Sequence, residues 1–70
     1  MRTGYTAVVQ RDGEWWIGWV EEVPGVNSQG RTREELLENL RDALEEALEM
    51  NRTDARAAAN GPFEEVSISA

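Results

Sequence analysis

The stretch from Thr32 to Leu48 constrains this chain more than any other. Leu36, Leu37, Leu40, Ala43, Leu44, Ala47 and Leu48 recur at helical spacing and draw one apolar stripe. Just before it, Thr32 and Glu35 make a T-x-x-E capping box, in which each side chain satisfies the other residue's orphan backbone donor. Together they predict a helix from about Arg33 to Met50. The opposite side carries Glu38, Asp42, Glu45, Glu46 and Glu49, with Arg41 as its only base. The late glutamates oppose the helix dipole, each by about 0.3 kcal/mol. A helix with a single apolar stripe needs one layer to pack on, and the preceding residues supply a sheet.

Tyr5 to Gln10 reads YTAVVQ and Trp15 to Val20 reads WWIGWV, both rich in β-formers. Asp12-Gly13 between them is a hairpin signal, because the turn needs a positive φ that glycine supplies at little cost. Pro24-Gly25 then marks a turn, and residues 26–29 form a third short strand stopped by Gly30. Residues 51–62 are either a short alanine-rich helix, capped by Thr53 or Asp54 and ended by Asn60-Gly61-Pro62, or a loose connection. Phe63 to Ile68 (FEEVSI) alternates as a final strand would. The expected order is β-β-β-α-β over residues 1–70: one α+β domain, its main helix packed on one face of a small sheet.

A turn centred on Asp12-Gly13 sets Gln10 opposite Trp15, Val8 opposite Ile17 and Thr6 opposite Trp19. Val9 then opposes Trp16, Ala7 opposes Gly18 and Tyr5 opposes Val20. Cross-strand partners share a face, so two sets result. One holds Tyr5, Ala7, Val9, Trp16, Gly18 and Val20, with a small centre that admits a helix backbone. The other holds Thr6, Val8, Gln10, Trp15, Ile17 and Trp19. The leucine stripe covers only one set, and we assign it to the Gly18 side. Val8, Trp15, Ile17 and Trp19 are left as an uncovered apolar patch, the kind that marks an interface.

Composition excludes several functions. The 70 residues include 14 acidic and 7 basic side chains, all seven of them arginine, for a net charge of −7. Such an excess of acid argues against nucleic acid as a direct ligand and for a basic partner. Without histidine or cysteine there is no thiolate or imidazole metal site and no nucleophile–imidazole pair. The first two strands carry no carboxylates from Tyr5 to Gln10 or from Trp15 to Val20, so two-metal hydrolysis has no inner-strand ligands there. We therefore expect no enzyme activity and no cofactor. No apolar run is long enough for a membrane span and the start of the sequence has no signal-peptide pattern, so a cytoplasmic location is expected.

From Trp16 to Leu48 the sequence resembles the HicB-like antitoxins of bacterial toxin–antitoxin pairs. Glu21-Glu22-Val23-Pro24-Gly25 stands where that family has a proline-rich turn. Ser28-Gln29-Gly30-Arg31-Thr32 matches the segment after it, and Arg33 to Leu40 the start of the helix. Tyr5 to Val9 fits the first strand. Glu21 in place of the first proline, Arg31 in place of an aspartate and Leu36 in place of an alanine are departures.

The resemblance implies a degenerate ribonuclease-H-like fold. It also implies an antitoxin-like module that neutralises a small basic mRNA-cleaving toxin of the HicA type by covering its RNA-binding surface. Val8, Trp15, Ile17 and Trp19 are then candidates for apolar anchoring, and Glu38, Asp42, Glu45, Glu46 and Glu49 for charge complementarity. Many such antitoxins carry a further DNA-binding domain. The sequence ending at Ala70 leaves no room for one, so operator binding by this chain is not expected. The alternative is a homo-oligomeric structural or regulatory domain without a toxin, associating through the tryptophan face.

Overall fold

The structure, a computed structural model, describes residues 4–68. Strands β1 (Ala7–Asp12), β2 (Trp15–Val20) and β3 (Asn27–Gly30) form an antiparallel sheet in the order β1-β2-β3, and helix α1 (Arg33–Ala57) follows. The fold is α+β, as expected, with the helix on one face.

The hairpin closes one residue later than the Asp12-Gly13 signal suggested. Asp12 pairs with Trp15, so the two loop residues are Gly13 and Glu14. Gly13 sits at φ 62 and no non-glycine residue has a positive φ. That is the type II′ pattern, with glycine at the first loop position. A type I′ turn on Asp12-Gly13 would push Asp12 into the left-handed region as well, at about 1 kcal/mol. The register is therefore Ala7↔Val20, Val8↔Trp19, Val9↔Gly18 and Gln10↔Ile17, two residues removed from the expected pairing. Because side chains alternate with period two, a slip of two leaves both face sets intact. It does move Ala7 away from Gly18 to the end of the sheet, where it is exposed.

Between β2 and β3 the chain turns at Val23-Pro24-Gly25-Val26. The Val26 amide donates to the Val23 carbonyl at 3.4 Å and Gly25 has φ 88. Proline second and a positive-φ glycine third define a type II turn. Val26, expected inside the third strand, instead precedes it; its carbonyl accepts from the Val20 amide at 3.0 Å and its side chain is buried.

The helix starts as its cap predicts. Thr32 is extended (φ −124, ψ 162) and its Oγ1 accepts from the Glu35 amide at 3.0 Å. The reciprocal half of the box differs: Glu35 Oε1 accepts from the Arg31 amide at 3.2 Å, one residue earlier than expected. The helix also runs past Met50 without a break. Thr53 and Asp54 are interior positions, and the alanine-rich 55–57 stretch continues the helix because alanine loses least on entering one. The helix therefore ends near the Asn60-Gly61-Pro62 breakers, with Ala58 as its cap and its amide on the Asp54 carbonyl at 3.1 Å. The extension removes the dipole conflict, since Glu45, Glu46 and Glu49 lie well before the last turn, where the dipole field is concentrated.

The core is Val20, Val26, Leu36 and Leu40, with Val9, Trp16, Val23, Ala43, Leu44 and Ala47 packed around it. Gly18 lets the helix come close: a Cβ there would lie 3.1 Å from Leu40 Cδ1 and 3.2 Å from Leu36 Cδ2. Burial fades along α1, from Leu36 and Leu40 to half-buried Ala47 and Leu48, and every described residue from Glu49 onward is exposed. A 25-residue helix is about 37 Å long and a six-residue strand about 20 Å, so the second half of α1 overhangs the sheet.

The expected fourth strand is not formed. Residues 63–68 pair with no strand among the described residues, and all six are exposed. Alternation supplies strand character but not a partner, and the long helix delivers this segment beyond the sheet.

Candidate protein-binding surfaces

The side of the sheet away from α1 is built by alternation. Even-numbered residues of β1 and odd-numbered residues of β2 and β3 share it. Trp19 stands between Val8 and Asn27, Ile17 between Gln10 and Gln29, and Trp15 beside Asp12. Val8, Ile17, Trp15 and Trp19 thus meet as one apolar patch, as the face assignment predicts. Trp15 is 37% and Trp19 41% exposed, with Val8 and Ile17 half-buried between them. Residues 51–62 do not fold over this patch, because most of them continue the helix.

The rim of the patch is polar. The β2–β3 register, carried one step beyond Gly30, brings Arg31 to Trp15, and the guanidinium carbon lies 4.4 Å from the ring centroid. A cation over an aromatic face at that distance is attracted by the ring quadrupole and holds the ring in place. No local pattern signals this contact, since it depends on a cross-strand register. A second guanidinium, that of Arg11, lies 5.6 Å from the Trp16 ring on the helix side. Gln29 faces the patch while its carbonyl accepts from Asn39 Nδ2 at 2.9 Å, tying β3 to α1. Two carboxylates bracket the patch: Asp12 at the hairpin end, and Glu21 just past β2, where its amide still donates to the Thr6 carbonyl at 2.9 Å.

Glu38, Asp42, Glu45, Glu46 and Glu49 are all exposed. They lie on the side of α1 opposite Leu36 and Leu40, and so on the far side of the molecule from the tryptophans. The nine candidate residues therefore form two surfaces, and one partner cannot cover both with a single flat contact. Glu49 is partly neutralised by Arg52, 3.5 Å away, an exposed pair worth little in stability. Near the end of α1, Arg56 Nε donates to Glu65 Oε1 at 3.0 Å. That hydrogen bond, and then the charge of the carboxylate, raise the guanidinium pKa above its ordinary value.

Among the described residues, no three His, Cys, Asp or Glu side chains are grouped to hold a metal ion. No helix among them is long and apolar enough to cross a membrane.

Compared with known proteins, the chain is 39% identical to the UPF0150 protein of Thermotoga maritima over 51 residues, which are 70% of this chain and 68% of that protein. No family model matches the chain. No solved structure matches it either.

Proposed function

We propose that this chain, which belongs to the UPF0150 family, is an antitoxin-like protein-binding module that neutralises a small basic mRNA-cleaving ribonuclease by covering its RNA-binding surface. The observation that carries this reading is the outer sheet face. It has an apolar centre with two half-exposed tryptophans, a rim of Gln10, Asn27, Gln29 and Arg31, and carboxylates at both ends. Apolar centre and polar rim are the anatomy of a protein interface, and tryptophan is the commonest anchor in one. Asp12 and Glu21 suit that face to a basic partner. The resemblance to HicB-like antitoxins names the kind of partner.

The acidic helix face takes a different part from the one its residues first suggest. It lies on the far side from the tryptophans, so it contributes to the field around the molecule and not to the contact. A net charge of −7 attracts a cationic protein over about one Debye length and raises the capture rate. Anchoring and slow release belong to Trp15, Ile17 and Trp19, and steering to Glu38, Asp42, Glu45, Glu46 and Glu49.

The test pairs the purified chain with the purified basic protein encoded by the adjacent reading frame. The expected results are a stoichiometric complex at micromolar concentration, suppression of RNA cleavage in proportion to added chain, and weaker association as salt rises. Absence of a complex at low salt, or cleavage unaffected by a molar excess of the chain, overturns the proposal.

A further inference from the structure

We propose that the open edge of β1, with the groove beside it, receives residues 63–68 of a second copy of this chain, so that two copies exchange their C-terminal segments. The edge is available. Glu21 donates to the Thr6 carbonyl, so the hydrogen-bonded pairs of the β1–β2 ladder fall on even residues of β1. The backbone groups of Ala7, Val9 and Arg11 therefore point away from β2, to the side where no strand lies among the described residues. An unpaired edge of this kind is a template for another strand. Beside it, between the start of β1 and α1, runs a groove of about 280 Å³ walled by Tyr5, Ala7, Leu37, Leu40 and Leu44, with Arg41 the one cation among the described residues that line it.

The segment suits the groove. Val66 is 71% and Ile68 92% exposed in a stretch that alternates and pairs with no strand among the described residues. In extended form Glu64, Val66 and Ile68 share one side, with Glu65 and Ser67 on the other.

The placement of the segment favours a second copy. Glu65 is held to Arg56 at 3.0 Å, and Phe63 lies in a hollow shared with Arg52, Ala55 and Ala59. From Leu44, at the near end of the groove, to Arg56 the helix rises about 18 Å. The segment therefore lies away from the groove of its own chain. It is instead displayed on the overhanging end of α1, and a second copy can take it with the tether intact. Reciprocal exchange uses each edge once and closes on a two-fold axis. Neither the tryptophan face nor a foreign partner is involved, so this inference does not depend on the proposed function.

The chain has no cysteine, so single thiols report contacts directly. Ala7→Cys and Ile68→Cys variants of the full chain, mixed and treated with a short thiol-to-thiol cross-linker, are expected to give a covalent mixed dimer. The A7C/I68C double variant is expected to cross-link as a dimer too. Light scattering at micromolar concentration is expected to show a dimer for the wild type. It should show a monomer with an unchanged far-ultraviolet circular dichroism spectrum for V66D/I68D, whose altered side chains are exposed. A monomeric wild type, an A7C/I68C chain that cross-links only within itself, a mixture that yields no mixed dimer, or a dimer that survives V66D/I68D each overturns the proposal. The last of these would place association on another surface, such as the tryptophan face.

Discussion

Replacing Gly30 by alanine places a methyl group where the first turn of α1 already lies. A Cβ on Gly30 would stand 2.6 Å from the Leu36 amide nitrogen and 3.1 Å from both Glu35 C and Leu36 Cα. All three are backbone atoms, so no side chain can swing aside. Comfortable contact between heavy atoms begins near 3.5 Å, leaving the methyl short of room by about 0.9 Å at its closest neighbour. The turn cannot retreat alone, because the Leu36 amide donates to the Thr32 carbonyl at 3.0 Å and the Glu35 amide to Thr32 Oγ1 at 3.0 Å. Moving the whole helix outward lifts Leu36 and Leu40, the centre of the core, off the sheet. Overpacking of this kind costs about 1–3 kcal/mol. The loss of unfolded-state freedom on Gly→Ala returns about 0.4–1 kcal/mol, so a net loss of about 1.3 kcal/mol is expected. For a domain of this size that lowers Tm by about 5–10 °C. Thermal melts followed by circular dichroism measure it, with Gly4→Ala, which meets nothing within 4 Å, as the control expected to stay near wild type. A G30A melt equal to or above that of the wild type would refute the close approach of β3 to α1.

Other variants probe separate parts of the fold. Gly25→Ala forces a side chain into the left-handed region at φ 88 and is expected to cost about 1–2 kcal/mol in urea unfolding, although there is open space around it; an unchanged midpoint would refute the type II turn. Thr32→Ala removes the acceptor of the Glu35 amide and should cost about 1 kcal/mol, while Thr32→Ser should restore most of it. Leu36→Ala empties the most buried side chain in the core, and a loss of about 3 kcal/mol is expected by the same assay. With four buried apolar residues among those described, the domain has little reserve, so that variant is expected to be substantially unfolded near physiological temperature.

The parts of this fold that local chemistry dictates were legible in the sequence. Thr32 and Glu35 mark the start of the helix because a cap is a contact between near neighbours. The two faces of the hairpin follow from period two alone, which is why the patch of Val8, Trp15, Ile17 and Trp19 survives a register error. The register itself turns on whether Asp12 or Glu14 joins Gly13 in the loop, a choice settled by which residue escapes a positive φ. Thr53 and Asp54 have N-cap chemistry, but an N-cap is used only where a helix begins, and α1 runs through both of them without a break. Residues 63–68 have the pattern of a strand, and pairing depends on where the preceding helix delivers them. In the site, the tryptophans were visible as a set, whereas Arg31 on Trp15 needed the β2–β3 register. The separation of the acidic residues from the tryptophans needed the helix to be set on the sheet.

In the proposed function the tryptophan face makes the contact while the acidic helix face only steers. Dissociation constants and association rates for the basic partner separate the two. Trp19→Glu alters a half-exposed position, so a stability loss of about 1–2 kcal/mol is expected and circular dichroism checks that the chain is still folded. It is expected to weaken binding by about 30-fold or more, chiefly through faster dissociation, as loss of a buried aromatic anchor does. Charge reversal at Glu45 and Glu46 is expected to slow association and flatten its salt dependence, with dissociation nearly unchanged. A folded Trp19→Glu chain that binds the partner as tightly as the wild type would contradict the account.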